Sequence, residues 1–212
     1  MKVLVLGTCR VQIPSRKIDQ VFIYPAGTTA SLGQSLQAVQ VMHKDIKIPH
    51  SVYRKTFTKK INYKFLENIP IDFSKIDKVI LEVASIHNRY IDVDGNRIYV
   101  WKEIVPSCLT QTDDPESMIQ KLHYFCSFFP DKEILFIPFP VRELRPDRQM
   151  LAKTLKKFAE KNNYNYFDPL PVIKEYGSVK CLKKSKYGIC DHFSRFMIKK
   201  VREKILTFLN GN

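Results

Sequence analysis

The chain has 212 residues, 44% of them hydrophobic and 12% aromatic, which suits one sizeable core and excludes a disordered chain. Lys and Arg outnumber Asp and Glu, 35 to 21, and the resulting net charge of +14 attracts polyanions such as nucleic acid, phosphorylated ligands or acidic glycans. No run approaches the roughly 18 apolar residues of a membrane span, and the phosphate-loop pattern Gly-x-x-x-x-Gly-Lys-Ser/Thr is absent.

Residues 3–7, Val-Leu-Val-Leu-Gly, form a short apolar run ending in glycine. The run is too short for a secretory leader and reads as a central parallel strand buried on both faces. An intracellular, cytoplasmic address is expected. Residues 31–44 place Leu32, Leu36, Val39 and Met42 on one face at helical spacing. Residues 50–70 are basic and aromatic with no clear period and are expected to be an irregular insertion. Residues 78–84, Lys-Val-Ile-Leu-Glu-Val-Ala, predict the next strong strand. Residues 90–100 predict a small hairpin turning at Asp94-Gly95.

Asp114-Pro115-Glu116 then opens a helix running to about Phe129, with Asp as cap and Pro in the first turn. Residues 133–139 predict a third buried strand. Arg145-Pro146 precedes a helix to about Asn163, and Tyr164–Phe167 a fourth short strand. Residues 193–209 carry Phe196, Val201, Ile205 and Leu209 as an amphipathic closing helix. Strands alternate with helices, so a single α/β domain over 1–212 is expected, a parallel sheet flanked by helices on both faces. Such sheets bind ligands beyond the carboxyl ends of their strands. That rule selects the loops after Leu6, Ala84 and Phe139.

The five cysteines, Cys9, Cys108, Cys126, Cys181 and Cys190, are odd in number and widely spaced, a poor disulfide framework, and reduced thiols are expected. Cys181, Cys190 and His192 lack a fourth metal ligand at the usual spacing, so no metal centre is expected.

The first selected loop is Gly7-Thr8-Cys9-Arg10. A cysteine at a strand end, close to backbone N–H groups and to Arg10, has the setting of an activated nucleophile; the plainer reading is a small buried hydrophobe. The second element is Cys190-Asp191-His192-Phe193-Ser194, read as the opening of the last helix. His192 there is a candidate general base, with Asp191 either orienting it or capping the helix, and Ser194 a rival for the cap. His43, His50, His87 and His123 have no comparable context and read as surface or packing residues.

The order of these parts resembles the SGNH/GDSL superfamily of esterases and acyltransferases. It is most similar to branches with Gly-Ser-Cys or Gly-Asn-Cys in place of Gly-Asp-Ser, among them capsule-biosynthesis acetyltransferase-like proteins. Further echoes are Gly33-Gln34-Ser35-Leu36-Gln37-Ala38, Ile80-Leu81-Glu82-Val83-Ala84-Ser85, Arg145-Pro146 and Phe167-Asp168-Pro169, spread over residues 3–200. The resemblance implies an SGNH/flavodoxin-like three-layer sandwich, Cys9 as nucleophile, and His192 as base. It implies oxyanion and substrate contacts from the loop around Thr8, Cys9 and Arg10, from Gly33 or Gly27, and from Asn88 or Ser85. Two departures stand out: Ile189 occupies the place of the usual aspartate three residues before the histidine, and Gly-x-Asn-Asp is absent.

The expected activity is acyl transfer or ester hydrolysis on a small-molecule or saccharide substrate. No cofactor is required, and acyl-CoA is a candidate donor whose phosphates Arg10, Arg16 and Lys17 would attract. The rival reading is a non-catalytic module that binds nucleic acid or acidic glycan through its charge. Tyr53, Arg54, Lys55, Phe57, Lys59, Lys60, Tyr63, Lys64 and Phe65 would form its surface.

Overall fold

The computed structural model describes residues 1–7, 11, 20–23, 31–49, 52, 72–100, 108–139, 146–185 and 188–211; of 20–23, 184–185 and 188–192 it describes the backbone alone. In chain order the strands are β1 (Lys2–Leu6), β2 (Gln20–Ile23), β3 (Lys78–Val83), β4 (His87–Val93), β5 (Asn96–Tyr99), β6 (Leu109–Thr112), β7 (Glu133–Pro138), β8 (Asn165–Tyr166), β9 (Leu182–Ser185) and β10 (Gly188–Phe193). The helices are α1 (Leu32–His43), α2 (Pro115–Ser127), α3 (Pro146–Lys161), α4 (Leu170–Tyr176), α5 (Ser178–Cys181) and α6 (Arg195–Asn210).

The main sheet has five strands in the order β2-β1-β3-β7-β8, every neighbouring pair parallel. Helices cover both faces, and strand alternation sorts the apolar residues between them. Leu4, Leu6, Val79, Leu81, Val83, Ile134 and Phe136 pack against α1, α2 and α3. Val3, Val5, Ile80, Leu135 and Ile137 face the other way, onto Ile173, Cys181, Phe193 and the α6 row Met197, Val201, Ile205 and Phe208. Each fully buried Leu, Ile or Phe contributes about 1.5–3 kcal/mol of transfer free energy. The α/β fold with a helix-covered parallel sheet is therefore present.

Local chemistry sets the helix starts. Ser31 and Gln34 form a reciprocal capping box on α1, Ser31 Oγ accepting from Gln34 N and Gln34 Oε1 from Ser31 N. Asp114 caps α2 by accepting from Ser117 N at 2.7 Å, with Pro115 in the first turn. A second sheet, β5-β4-β6, is antiparallel, with Asp94-Gly95 at the turn between β4 and β5. Gln34 Nε2 and Gln37 Nε2 donate to Val100 O and Tyr99 O, so the polar residues of α1 stitch that sheet to the helix.

Several elements differ from the sequence reading. β2 and β6 are four-residue strands that no apolar period announces. The fourth predicted strand shrinks to Asn165–Tyr166, and α4 and α5 fill the stretch after it. The last helix starts at Arg195, not 193, and residues 188–193 form an antiparallel strand with β9. Ser194 Oγ accepts from Met197 N at 3.2 Å, so Ser194 and not Asp191 caps α6. The predicted insertion at 50–70 lies outside the described residues except for Val52, which is buried.

Candidate functional site at the carboxyl edge of the sheet

Strand order reverses direction at β1 and β3: the chain leaves β1 for β2 on one side and returns to β3 on the other. In open α/β sheets that reversal opens a crevice beyond the carboxyl ends of the two strands. Gly7 sits at the end of β1 with φ +151°, a backbone conformation that favours glycine. A β-carbon at Gly7 would lie 2.6 Å from Glu82 Cβ, 2.9 Å from Glu82 Oε2 and 2.9 Å from Val11 Cγ2. Glu82 itself is 1% exposed, in a strand otherwise closed to water. The carboxylate of β3 is thus pressed against the point where the chain departs toward residues 8–10.

The amino end of α1 reaches the same edge, where Ser31 and Ser85 form an isolated parallel bridge. Gly33 N donates to Asn88 Oδ1 at 3.1 Å, and Asn88 Nδ2 donates to Ile86 O at 3.3 Å. Asn88 is 0% exposed, and a β-carbon on Gly33 would fall 2.5 Å from Asn88 Oδ1 and 2.9 Å from Tyr99 Cζ. Gly33 and Asn88 are brought together, and bonded to each other they brace the first turn of α1 against β4. Ser85 is half-buried on the rim, its Oγ accepting from His87 N at 3.0 Å.

His87 lies beside them. Its Nδ1 is 2.9 Å from Thr112 Oγ1, and its Nε2 is 3.6 Å from Asp147 Oδ2 in the first turn of α3. A half-exposed imidazole between a hydroxyl and a carboxylate is equipped to hold a polar group or pass a proton. Next to it the Arg148 guanidinium lies 4.0 Å over the Phe139 ring, and Phe139 N donates to Val83 O.

The far end of the chain is fixed by α6. Lys78, at the amino end of β3, donates to Phe208 O at 2.8 Å, so the last turn of α6 sits at the amino edge of the sheet. Sixteen residues span about 24 Å of helix, against about 20 Å for the six residues of β3. Packed along the strands through Met197, Val201 and Ile205, the helix begins at the carboxyl edge. Phe193 is buried in the same layer as Val5, Val11 and Ile80, and the backbone of residues 191–192 immediately precedes it on β10.

Of the residues expected from sequence, Gly33, Ser85 and Asn88 are described with their side-chain or backbone partners. Asp191 and His192 are described as backbone on β10, and Thr8, Cys9 and Arg10 lie outside the described residues, as does the basic aromatic stretch 53–65. Sequence reasoning passed over Glu82 and His87. Glu82 had a signal, a lone acid inside an apolar strand; His87 had none, because Thr112 and Asp147 are distant in the chain. Two thiols elsewhere are silenced by burial: Cys126 is pushed up to about 11 from 9.0, partly offset by its hydrogen bond with Tyr164. Burial also raises the Cys181 thiol, against a lowering from Lys180.

No family model matches the chain, and no curated protein matches it. Among solved structures it is similar to an acetyl xylan esterase from the rumen bacterium Butyrivibrio proteoclasticus, with 11% identity and a TM-score of 0.47. That alignment covers 99% of this chain and 63% of the esterase, so the chain spans less than two thirds of that protein's length. It is also similar to an aryl esterase from M. smegmatis, with 10% identity and a TM-score of 0.47, covering 99% of this chain and 98% of that one. No described helix is long and apolar enough to cross a membrane.

Proposed function

We propose that the protein is an esterase or acyltransferase that works through a covalent thioester on Cys9, with His192 as general base and then acid. The thiolate sulfur attacks the acyl carbonyl carbon, an S–C bond forms, and the ester C–O bond breaks. The proton taken from the thiol by His192 goes to the departing alkoxide. Water or an acceptor hydroxyl then attacks the thioester, releasing acid or a new ester and restoring the thiol. Asp191, next to His192 in sequence, is the acid the sequence offers; the α6 cap is made by Ser194. Ser85 and the loop around Thr8 and Arg10 would contact the substrate, with Gly33 and Asn88 bracing the edge from behind. The substrate is a small-molecule or saccharide ester, and acyl-CoA suits the basic residues Arg10, Arg16 and Lys17 as a donor.

The observation supporting this reading is that both ends of the chain return to one edge. Gly7 ends β1 at the switch point, and α6, anchored at its far end by Lys78, starts beside the same strand ends. The order of the motifs along the sequence supports it independently. Intact-mass measurement after exposure to p-nitrophenyl acetate tests it: the wild type gains one acetyl group, and Cys9→Ala gains none. His192→Ala should slow acylation by about 100-fold or more. Alkylation mapped by peptide mass should reach Cys9 at neutral pH well before Cys126 and Cys181, whose buried thiols stay protonated until the pH is alkaline. An acetyl adduct that persists in Cys9→Ala overturns the proposal.

A further inference from the structure

We propose that the outer face of α4, α5 and the first turns of α6 is a docking surface for a bilayer containing anionic lipid. The inference stands on observations separate from the thioester reading. It begins with the distribution of charge. Residues 170–211 hold ten Lys and Arg against three Asp and Glu, whereas residues 87–127, spanning the second sheet and α2, hold four against six. The two groups lie on opposite sides of the main sheet. α6 packs on the face of Val3, Val5 and Ile80, and α2 on that of Leu4, Leu6 and Val79.

Local geometry gathers the cations around an apolar tip. Tyr176, the last residue of α4, meets Phe196 in the first turn of α6 with ring centroids 5.0 Å apart. The Lys180 ammonium lies over both rings, 5.0 Å from the Tyr176 centroid and 4.6 Å from that of Phe196. Ser194 Oγ donates to Lys180 O at 2.6 Å, which holds Arg195 beside α5. Lys180, Lys183, Arg195 and Lys199 are exposed and have no carboxylate partner among the described residues. The acids of this face are Glu203, paired with Lys200 at 3.3 Å, and Glu175, hydrogen-bonded to Tyr176. Among these lysines Val179 is 62% exposed, the most exposed large hydrophobic residue among those described. It sits on a stretch, residues 177–180, that is exposed throughout.

An anionic bilayer satisfies both features at once. Each Lys or Arg brought to such a surface strengthens binding about fivefold, and an exposed apolar side chain gains by entering the headgroup boundary. A soluble polyanion would use the charge but leave Val179 in water. The ring faces on which bases would stack are already occupied by Lys180 and Lys200. Helix α3, on the other side of the sheet, is also basic, with Lys153, Lys156 and Lys157 exposed, but it carries no exposed large hydrophobic residue. Attachment would be peripheral, since no described helix is long and apolar enough to cross a membrane.

The test is co-sedimentation of the full chain with vesicles of roughly seven parts phosphatidylcholine to three parts phosphatidylserine, in about 0.1 M salt. The wild type should bind these vesicles, fail to bind pure phosphatidylcholine, and dissociate as salt is raised. The triple variant Lys180→Gln, Lys183→Gln, Lys199→Gln should bind about 100-fold more weakly. Val179→Ser should lose roughly threefold to tenfold, because the apolar contact goes and the charge stays. The α3 triple variant Lys153→Gln, Lys156→Gln, Lys157→Gln removes the same charge from the other side and should lose less than about threefold. All seven side chains are exposed, so each variant should keep the circular dichroism of the wild type. A wild type that does not sediment with the anionic vesicles, or an α3 triple that loses as much as the α5–α6 triple, overturns the inference. Wild-type affinity in Val179→Ser overturns the lipid assignment in favour of a soluble polyanion, for which heparin is the probe.

Discussion

Strand β3 carries a charge near each end on the same face, and the two ends treat their charges differently. Lys78 is 8% exposed; its Nζ donates to Glu133 Oε2 at 3.0 Å and to Phe208 O at 2.8 Å, and lies 4.9 Å from the Phe208 ring centroid. The neighbouring Lys2 N donates to Asp77 Oδ2 at 2.6 Å, and Asp77 N returns a bond to Lys2 O. At the amino edge, then, these contacts fasten β1 to the start of β3 and α6 to the sheet. Lys78 also meets the carbonyl-rich end of α6, where a cation is favourable. At the carboxyl edge Glu82 is pressed against a glycine in a conformation that excludes side chains. The first end is built for holding shape. The second packs a buried carboxylate closely on Gly7, beside Val11.

The largest expected effect comes from filling the gap at the carboxyl end. Gly7→Ala must place a β-carbon 2.6 Å from Glu82 Cβ while holding φ at +151°. Conformational strain of about 1–2 kcal/mol adds to an overpacking cost of about 1–3 kcal/mol. Thermal unfolding should therefore start roughly 4–20 °C lower, at about 2–4 °C per kcal/mol for a chain of this size. A variant that melts with the wild type would mean that Glu82 is not packed on Gly7, and the contrast between the two ends would collapse.

Removing the other charge should cost less and touch a different property. Lys78→Met keeps most of the side-chain volume and its contact with Phe208. It deprives the Phe208 carbonyl of a donor, and it frees Glu133, which is 56% exposed and regains water. The expected loss is about 1–2 kcal/mol, measured by urea denaturation. The pH profile of Cys9 alkylation should not move. If it did, the amino edge would be coupled to the proposed site, and the division of labour along β3 would be wrong.

That division was only partly legible beforehand, for physical reasons. β1, β3 and β7 are buried on both faces, so each announces itself as a continuous apolar run. α1, α2 and α3 carry capping residues or proline at their starts and apolar faces at helical spacing. β2, β6 and β8 have four, four and two residues, too few for any period to emerge. Cys190-Asp191-His192 read as a helix opening because Asp and Ser are both good caps. The choice depends on which side chain meets Met197 N, a contact no local pattern records. At the edge, Gly33 and Asn88 carry separate sequence signals, yet their mutual bond depends on β4 folding back under α1. The buried state of Glu82 was implicit in its apolar neighbours, whereas its contact with Gly7 is a product of strand register: Leu6 opposes Leu81.

The smallest expected effect sharpens the comparison from the solvent side. Glu133 answers Lys78 with a carboxylate that is 56% exposed, so most of its interaction is already shared with water and salt. Glu133→Gln retains an oxygen able to accept from Lys78 Nζ, and the second acceptor, Phe208 O, is untouched. The loss should stay below about 0.5 kcal/mol at low ionic strength and shrink further as salt is added. Comparing urea midpoints at low and high salt measures it. A loss that is larger and insensitive to salt would mean that Lys78 depends on Glu133 as a buried partner. The amino-edge cation would then no longer be a clamp resting mainly on the α6 carbonyl.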